Sequence, residues 1–136
     1  MRKVTGACHC GGVGFAATVD FASARRCNCS ICRMRGAVAV SANLAEFEIT
    51  RGEELLTLYT FNTGEAKHYF CKQCGIYTHH QRRSDPTQFG VNVACIDGIS
   101  PFDFTEIVVS EGRLHPNDGG GGIAGILRYE PVRRED

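Results

Sequence analysis

Seven of the eight cysteines in this chain of 136 residues sit in three tight clusters. Cys8-His9-Cys10 is a C-x-C, Cys27-Asn28-Cys29-Ser30-Ile31-Cys32 a C-x-C-x-x-C, and Cys71-Lys72-Gln73-Cys74 a C-x-x-C followed by Gly75. Cys95 stands alone. Short spacings of this kind let thiolates converge on one small soft cation, and zinc takes four such ligands tetrahedrally. Seven clustered thiolates exceed one site and fall one short of two closed sites. The natural partition is four plus three, and a three-thiolate site keeps one position open for chemistry.

The spacing assigns Cys8, Cys10, Cys71 and Cys74 to the closed site. Gly75 relieves the C-x-x-C turn so that backbone N–H groups can point at sulfur. Strand alternation at residues 8–10 would send Cys8 and Cys10 to one face and His9 to the other. A closed site here is structural: it ties the N-terminal strand to the middle of the chain and replaces core that a small β domain lacks. Cys27, Cys29 and Cys32 form the open site, with one vertex for water, a substrate thiol or a fourth protein ligand. Cys95 is the candidate fourth ligand, but its run Val91-Asn92-Val93-Ala94-Cys95-Ile96 reads more readily as core. His68, His79, His80 and Tyr77 lie close to the last cluster as possible proton donors, and alternation places Tyr77 on the face of His79.

The rest of the chain reads as mainly β, a single domain over residues 1–136. Val13, Phe15, Ala17 and Val19 alternate over one face. Further strands are expected at 37–42, 46–50, 56–61, 66–71, 76–81, 88–94 and 105–109, with turn signals between them such as Asn62-Thr63-Gly64, Asp85-Pro86 and Asp97-Gly98. Only short helical turns are expected, near 29–35 and 101–104. This spacing predicts antiparallel sheets. Gly119 to Gly122 reads as a surface loop, with a place at the mouth of an active site as the alternative, and the tail from Arg133 to Asp136 as frayed.

Lys plus Arg and Asp plus Glu number 15 each, so the formal charge is zero and binding to nucleic acid by bulk attraction is disfavoured. The first residues carry no apolar leader and no stretch is long enough to span a bilayer, which predicts a cytoplasmic protein. Thiols stay reduced in that compartment, which favours metal over disulfides.

Four segments together resemble one family: Gly6-Ala7-Cys8-His9-Cys10-Gly11-Gly12-Val13, Cys27-Asn28-Cys29-Ser30-Ile31-Cys32-Arg33, Phe70-Cys71-Lys72-Gln73-Cys74-Gly75 and Val91-Asn92-Val93-Ala94-Cys95-Ile96-Asp97-Gly98. The chain from about residue 3 to about residue 112 is similar to the glutathione-dependent formaldehyde-activating enzymes, also called the centromere-protein-V family. The resemblance implies a β-tent of antiparallel sheets. It implies a structural zinc on Cys8, Cys10, Cys71 and Cys74, and a catalytic zinc on Cys27, Cys29 and Cys32. It also implies a carbon–sulfur lyase that adds glutathione to formaldehyde. Arg26, Arg33 and Arg35 flank the triad and are candidates to hold glutathione's carboxylates. Two other functions compete: a non-enzymatic zinc module for protein or nucleic acid, and a thiol-redox protein cycling Cys27 to Cys32.

Overall fold

The computed structural model describes residues 1–134; Glu135 and Asp136, half of the tail expected to fray, lie outside the described residues. Ten strands run in chain order: β1 (Arg2–Ala7), β2 (Gly14–Cys27), β3 (Ala39–Asn43), β4 (Phe47–Arg51), β5 (Leu56–Tyr59), β6 (Lys67–Cys71), β7 (Tyr77–Gln81), β8 (Gln88–Asn92), β9 (Glu106–Ser110) and β10 (Ile123–Arg128). One short helix, α1 (Ser30–Arg35), follows β2, and Pro101–Asp103 forms a 3-10 turn. The mainly β architecture with short helical turns is therefore the observed one. Among the described residues no helix is long and apolar enough to cross a membrane.

β2 organises the fold because it is long and changes partners halfway. Its first half lies between β1 and β4, both antiparallel to it. Its second half joins β3 and β9. Between Asp20 and Arg25 the register to β3 slips, and the Ser23 hydroxyl accepts from the Ser41 N–H at 2.8 Å, which bonds the bulged backbone to its neighbour. The main sheet then runs β10-β9-β2-β3-β8-β7-β6-β5.

The alternation of Val13, Phe15, Ala17 and Val19 is the buried face, with exposures of 0%, 1%, 6% and 0%. Across from it pack Val38, Val40 and Ala42, with Val91, Val93, Cys95, Ile96 and Ile107. Full burial of each such valine, isoleucine or phenylalanine side chain stabilises by roughly 1.5–3 kcal/mol. Cys8, Val13 and Cys71 form a second, smaller core with Leu55 and Leu56 beside it.

Three features depart from the sequence expectation. β2 continues past Val19 to Cys27, because the bulge absorbs the loss of alternation after Asp20. β9 pairs with β2 in parallel, aligning Cys27 with Ser110, so the pairing is not wholly antiparallel. β10 went unrecognised because its apolar residues are exposed rather than alternating in and out, with Ile126 at 52% and Leu127 at 46%.

Candidate metal centres and active-site cleft

Two turns build the four-cysteine cluster. Cys8 to Gly11 is a turn closed by Gly11 N–H donating to the Cys8 carbonyl at 3.0 Å, with Gly11 at φ +76°. Strand alternation therefore does not aim these thiols; the left-handed glycine does, and His9 is still left exposed. The matching turn at Cys71 is closed by Gly75 N–H donating to the Cys71 carbonyl at 2.7 Å, with Gly75 at φ +75°. All four sulfur atoms lie within 4.8 Å of one another. Zinc–sulfur bonds of about 2.3 Å at tetrahedral angles would separate sulfurs by about 3.8 Å. Cys8 Sγ to Cys10 Sγ is 3.6 Å and Cys10 Sγ to Cys71 Sγ is 3.7 Å, so the cluster matches that edge. The Val13 and Gly12 N–H groups donate to Cys8 Sγ at 3.3 Å and Cys10 Sγ at 3.4 Å, the bonds a metal thiolate accepts. This cluster could hold a metal ion, and it joins β1–β2 to β6–β7 across the small core.

The second cluster is assembled from a strand end and a helix start. Cys27 ends β2, Cys29 is the N-cap of α1, and Cys32 lies three residues on, on the same side of the helix. Gly36 closes α1 in the left-handed region at φ +69°, its N–H donating to the Cys32 carbonyl. The three sulfurs also lie within 4.8 Å of one another and could hold a metal ion. The Cys29 N–H donates to Cys27 Sγ at 3.4 Å. The crowded thiols polarise one another: hydrogen bonds from Cys27 and Cys32 push Cys29 down to about 2, whereas Cys27 and Cys32 are raised. Cys29 is thus the thiol of the three that most readily carries negative charge. Cys95 lies elsewhere, buried in the main core, its Sγ donating to the Tyr77 carbonyl at 3.5 Å.

The parallel pairing of β2 with β9 brings residues 110–112 onto the triad. Asn28 N–H donates to the Ser110 carbonyl at 3.2 Å, and the Asn28 side-chain oxygen accepts from Gly112 N–H at 2.7 Å. Gly112 leaves room for the Cys27 sulfur: a Cβ there would collide with it, so a larger residue would have to displace that side chain.

The triad borders a cleft of about 460 Å³. Arg25, Arg26, Arg35 and Arg82 line it, and among the described residues none of the four has a carboxylate at ion-pair distance. Arg35 is the best placed: it donates to Cys32 Sγ at 3.6 Å and to His68 Nδ1 at 3.0 Å, and lies 3.6 Å over the Tyr77 ring. Arg82, on the β7–β8 connection, donates to the Ser41 hydroxyl at 2.9 Å. Arg33 is exposed on α1 and does not line the cleft, so of the three arginines singled out by sequence the fold brings two to the triad. Arg82 carried no sequence signal; only the β7–β8 hairpin puts it there.

The histidines divide. His79 is buried among Phe47, Tyr69 and Phe89, away from the cleft, and burial pushes it down to about 4. His68 and His80 line the cleft. Tyr77 does not share the face of His79: a register shift between Tyr69 and Phe70 leaves Thr78 as an extra residue on β7 and turns Tyr77 onto the face of His80. The Tyr77 hydroxyl lies 2.6 Å from His80 Nδ1.

The far rim of the cleft is formed within the segment 113–118; the glycine run follows it directly, and none of its four residues lines the cleft itself. Gly120 passes against the Leu114 carbonyl with no room for a Cβ, and Gly119, Gly121 and Gly122 take positive φ to return the chain into β10. Arg83 holds this rim, donating to Asp118 at 3.0 Å and to Glu65 at 3.0 Å.

Comparison with known proteins agrees with this geometry. A crystal structure of a Rhodobacter sphaeroides protein, a structural-genomics target, superposes with a TM-score of 0.74 at 54% identity, over 76% of this chain and 96% of that one. The family described as glutathione-dependent formaldehyde-activating enzyme matches residues 3–109, a span that holds both cysteine clusters and most of the cleft. The chain belongs to the family of glutathione-dependent formaldehyde-activating enzymes.

Proposed function

We propose that the protein is a zinc-dependent carbon–sulfur lyase that joins glutathione, or a similar small thiol, to formaldehyde or another small aldehyde. The observation that carries this reading is the contrast between the clusters. Four thiolates pack against core and loop, whereas three border a cleft in which Arg25, Arg26, Arg35 and Arg82 have no carboxylate partner among the described residues. A zinc ion on Cys27, Cys29 and Cys32 would keep a thiol bound at its fourth vertex deprotonated near neutral pH.

The protein's own residues then position and balance charge. Arg26 and Arg35 suit the two carboxylates of glutathione by charge-assisted hydrogen bonds, and Arg82 adds a third cation. The sulfur attacks the carbonyl carbon, a C–S bond forms, and the C=O electron pair moves to oxygen. That oxygen takes up the proton the thiol gave, so nothing is oxidised or reduced. The reverse reaction cleaves the C–S bond, which is lyase chemistry. The Cys8, Cys10, Cys71 and Cys74 cluster takes a structural zinc in this account.

Because thiols add to formaldehyde spontaneously, the test is an exchange measurement. Carbon-13 exchange NMR between hydrated formaldehyde and its glutathione adduct should be accelerated by the zinc-loaded protein, and Cys32→Ala should return the rate to the spontaneous value. A fully zinc-loaded protein that leaves the exchange rate unchanged would overturn the proposal.

A further inference from the structure

His80 and His68 stack at 5.3 Å between ring centroids, yet their surroundings give them opposite tautomers. Arginine can only donate, so the 3.0 Å contact from Arg35 requires His68 Nδ1 to be bare and its proton to sit on Nε2. That Nε2–H is buried and has no partner among the described residues.

His80 is held the other way. The Tyr77 hydroxyl lies 2.6 Å from His80 Nδ1 and 3.3 Å from the Gly90 carbonyl oxygen. The carbonyl only accepts, and a phenol has one hydrogen. Both contacts are satisfied only as a chain in which His80 Nδ1–H donates to Tyr77 and Tyr77 O–H donates to Gly90. His80 Nε2 then carries a lone pair and has no partner among the described residues. Its ring approaches Gly90 with Cε1 nearest, where a Cβ would collide with that carbon and come within 3.0 Å of both ring nitrogens. Three local oddities therefore serve one imidazole: a bulge that turns Tyr77, a glycine that admits the ring, and a carbonyl that orients the phenol.

We propose that His80 Nε2 is the proton acceptor and donor of the cleft, with Tyr77 as the positioning residue that fixes its tautomer. This rests on reading the cleft as a thiol–aldehyde site. The proton that the thiol gives up on binding passes to Nε2, and as the sulfur bonds to carbon Nε2 returns it to the oxygen that received the carbonyl electron pair. The imidazole ends as it began. Burial, with the Arg35 and Arg82 charges nearby, holds His80 well below its ordinary value of 6.5. The lone pair is thus available at neutral pH, and the protonated ring is acidic enough to surrender its proton to the far more basic alkoxide.

Two measurements on the zinc-loaded protein test this. Long-range proton–nitrogen NMR of the imidazoles should find His80 protonated on Nδ1 and His68 on Nε2, and Tyr77→Phe should shift the His80 proton toward Nε2. His80→Gln, with its zinc content intact, should slow adduct exchange by about 100-fold or more while glutathione affinity holds, and added imidazole should restore part of the rate. An Nε2–H tautomer at His80 in the wild type overturns the assignment. Wild-type acceleration with no loss in His80→Gln overturns the role of His80 alone. No acceleration in the wild type with any thiol overturns the lyase reading, and the catalytic role of His80 with it.

Discussion

The Cβ that Gly112 lacks would occupy the space of the Cys27 sulfur. Two segments remote in sequence are therefore fitted to each other at the triad, and the backbone of residue 112 forms part of the wall behind Cys27. Gly112→Ala should push Cys27 away from Cys29 and Cys32 and weaken metal binding there, leaving the four-cysteine cluster loaded. Elemental analysis after mild chelation should find one zinc per chain in the variant. Retention of both at wild-type strength would show that the wall yields.

The two clusters should differ in what their loss does to folding. Cys71 is fully buried and joins the β6–β7 turn to the β1–β2 turn, so Cys71→Ser removes a cross-link as well as a ligand. A loss of several kcal/mol lowers Tm by on the order of 10 °C in a chain of this size. Cys29→Ser should leave Tm within a few degrees of wild type and weaken only the metal at the triad. Thermal melts of the two variants check this, and superimposable curves would contradict it.

Cys95 is packed in the main core, and burial pushes its thiol up to about 12. Cys95→Ala should cost about 1–2 kcal/mol through lost packing and the lost bond to the Tyr77 carbonyl. Both metals should remain. Release of the triad metal by this substitution alone would make Cys95 a ligand.

The rim of the cleft is fastened by charge. The Arg83 guanidinium holds the Asp118 carboxyl below its ordinary value of 3.8. A depressed carboxylate stabilises above its unfolded value, and the contribution is lost as pH falls through the folded one. At neutral pH the clamp is fully formed, and its loss belongs below about pH 4. Asp118→Asn should speed amide exchange in residues 114–121 with little change in Tm, because the Asp118 side of the pair is exposed. Unchanged exchange there would mean that the glycine turn alone sets the rim.

The metal-binding framework was legible because it is local. A C-x-C or C-x-x-C converges through its own turn, so each motif could be read from its spacing, and counting ligands suggested the four-plus-three division; the meeting of Cys10 with Cys71 is itself a tertiary contact. The buried face of β2 was legible for the same reason: alternation is a property of consecutive residues. What escaped depends on pairing. Tyr77 was expected beside His79, and one extra residue at Thr78 reverses that face. Arg82 and Gly112 reach the triad only through the β7–β8 hairpin and the parallel β2–β9 ladder, which no motif announces. β10 lay beyond the patterned part of the chain because it packs at an edge and buries little.

In the proposed reading one cluster is closed and the other keeps a vertex for a substrate thiol. Zinc-edge X-ray absorption on the fully loaded protein reads this directly as sulfur atoms per zinc. Four thiolates and three over two zinc ions average about 3.5 sulfurs. Saturating glutathione should raise the average to about 4, with no further zinc bound. An average already at about 4 without glutathione, or one that glutathione does not move, would contradict the open triad and the lyase built on it.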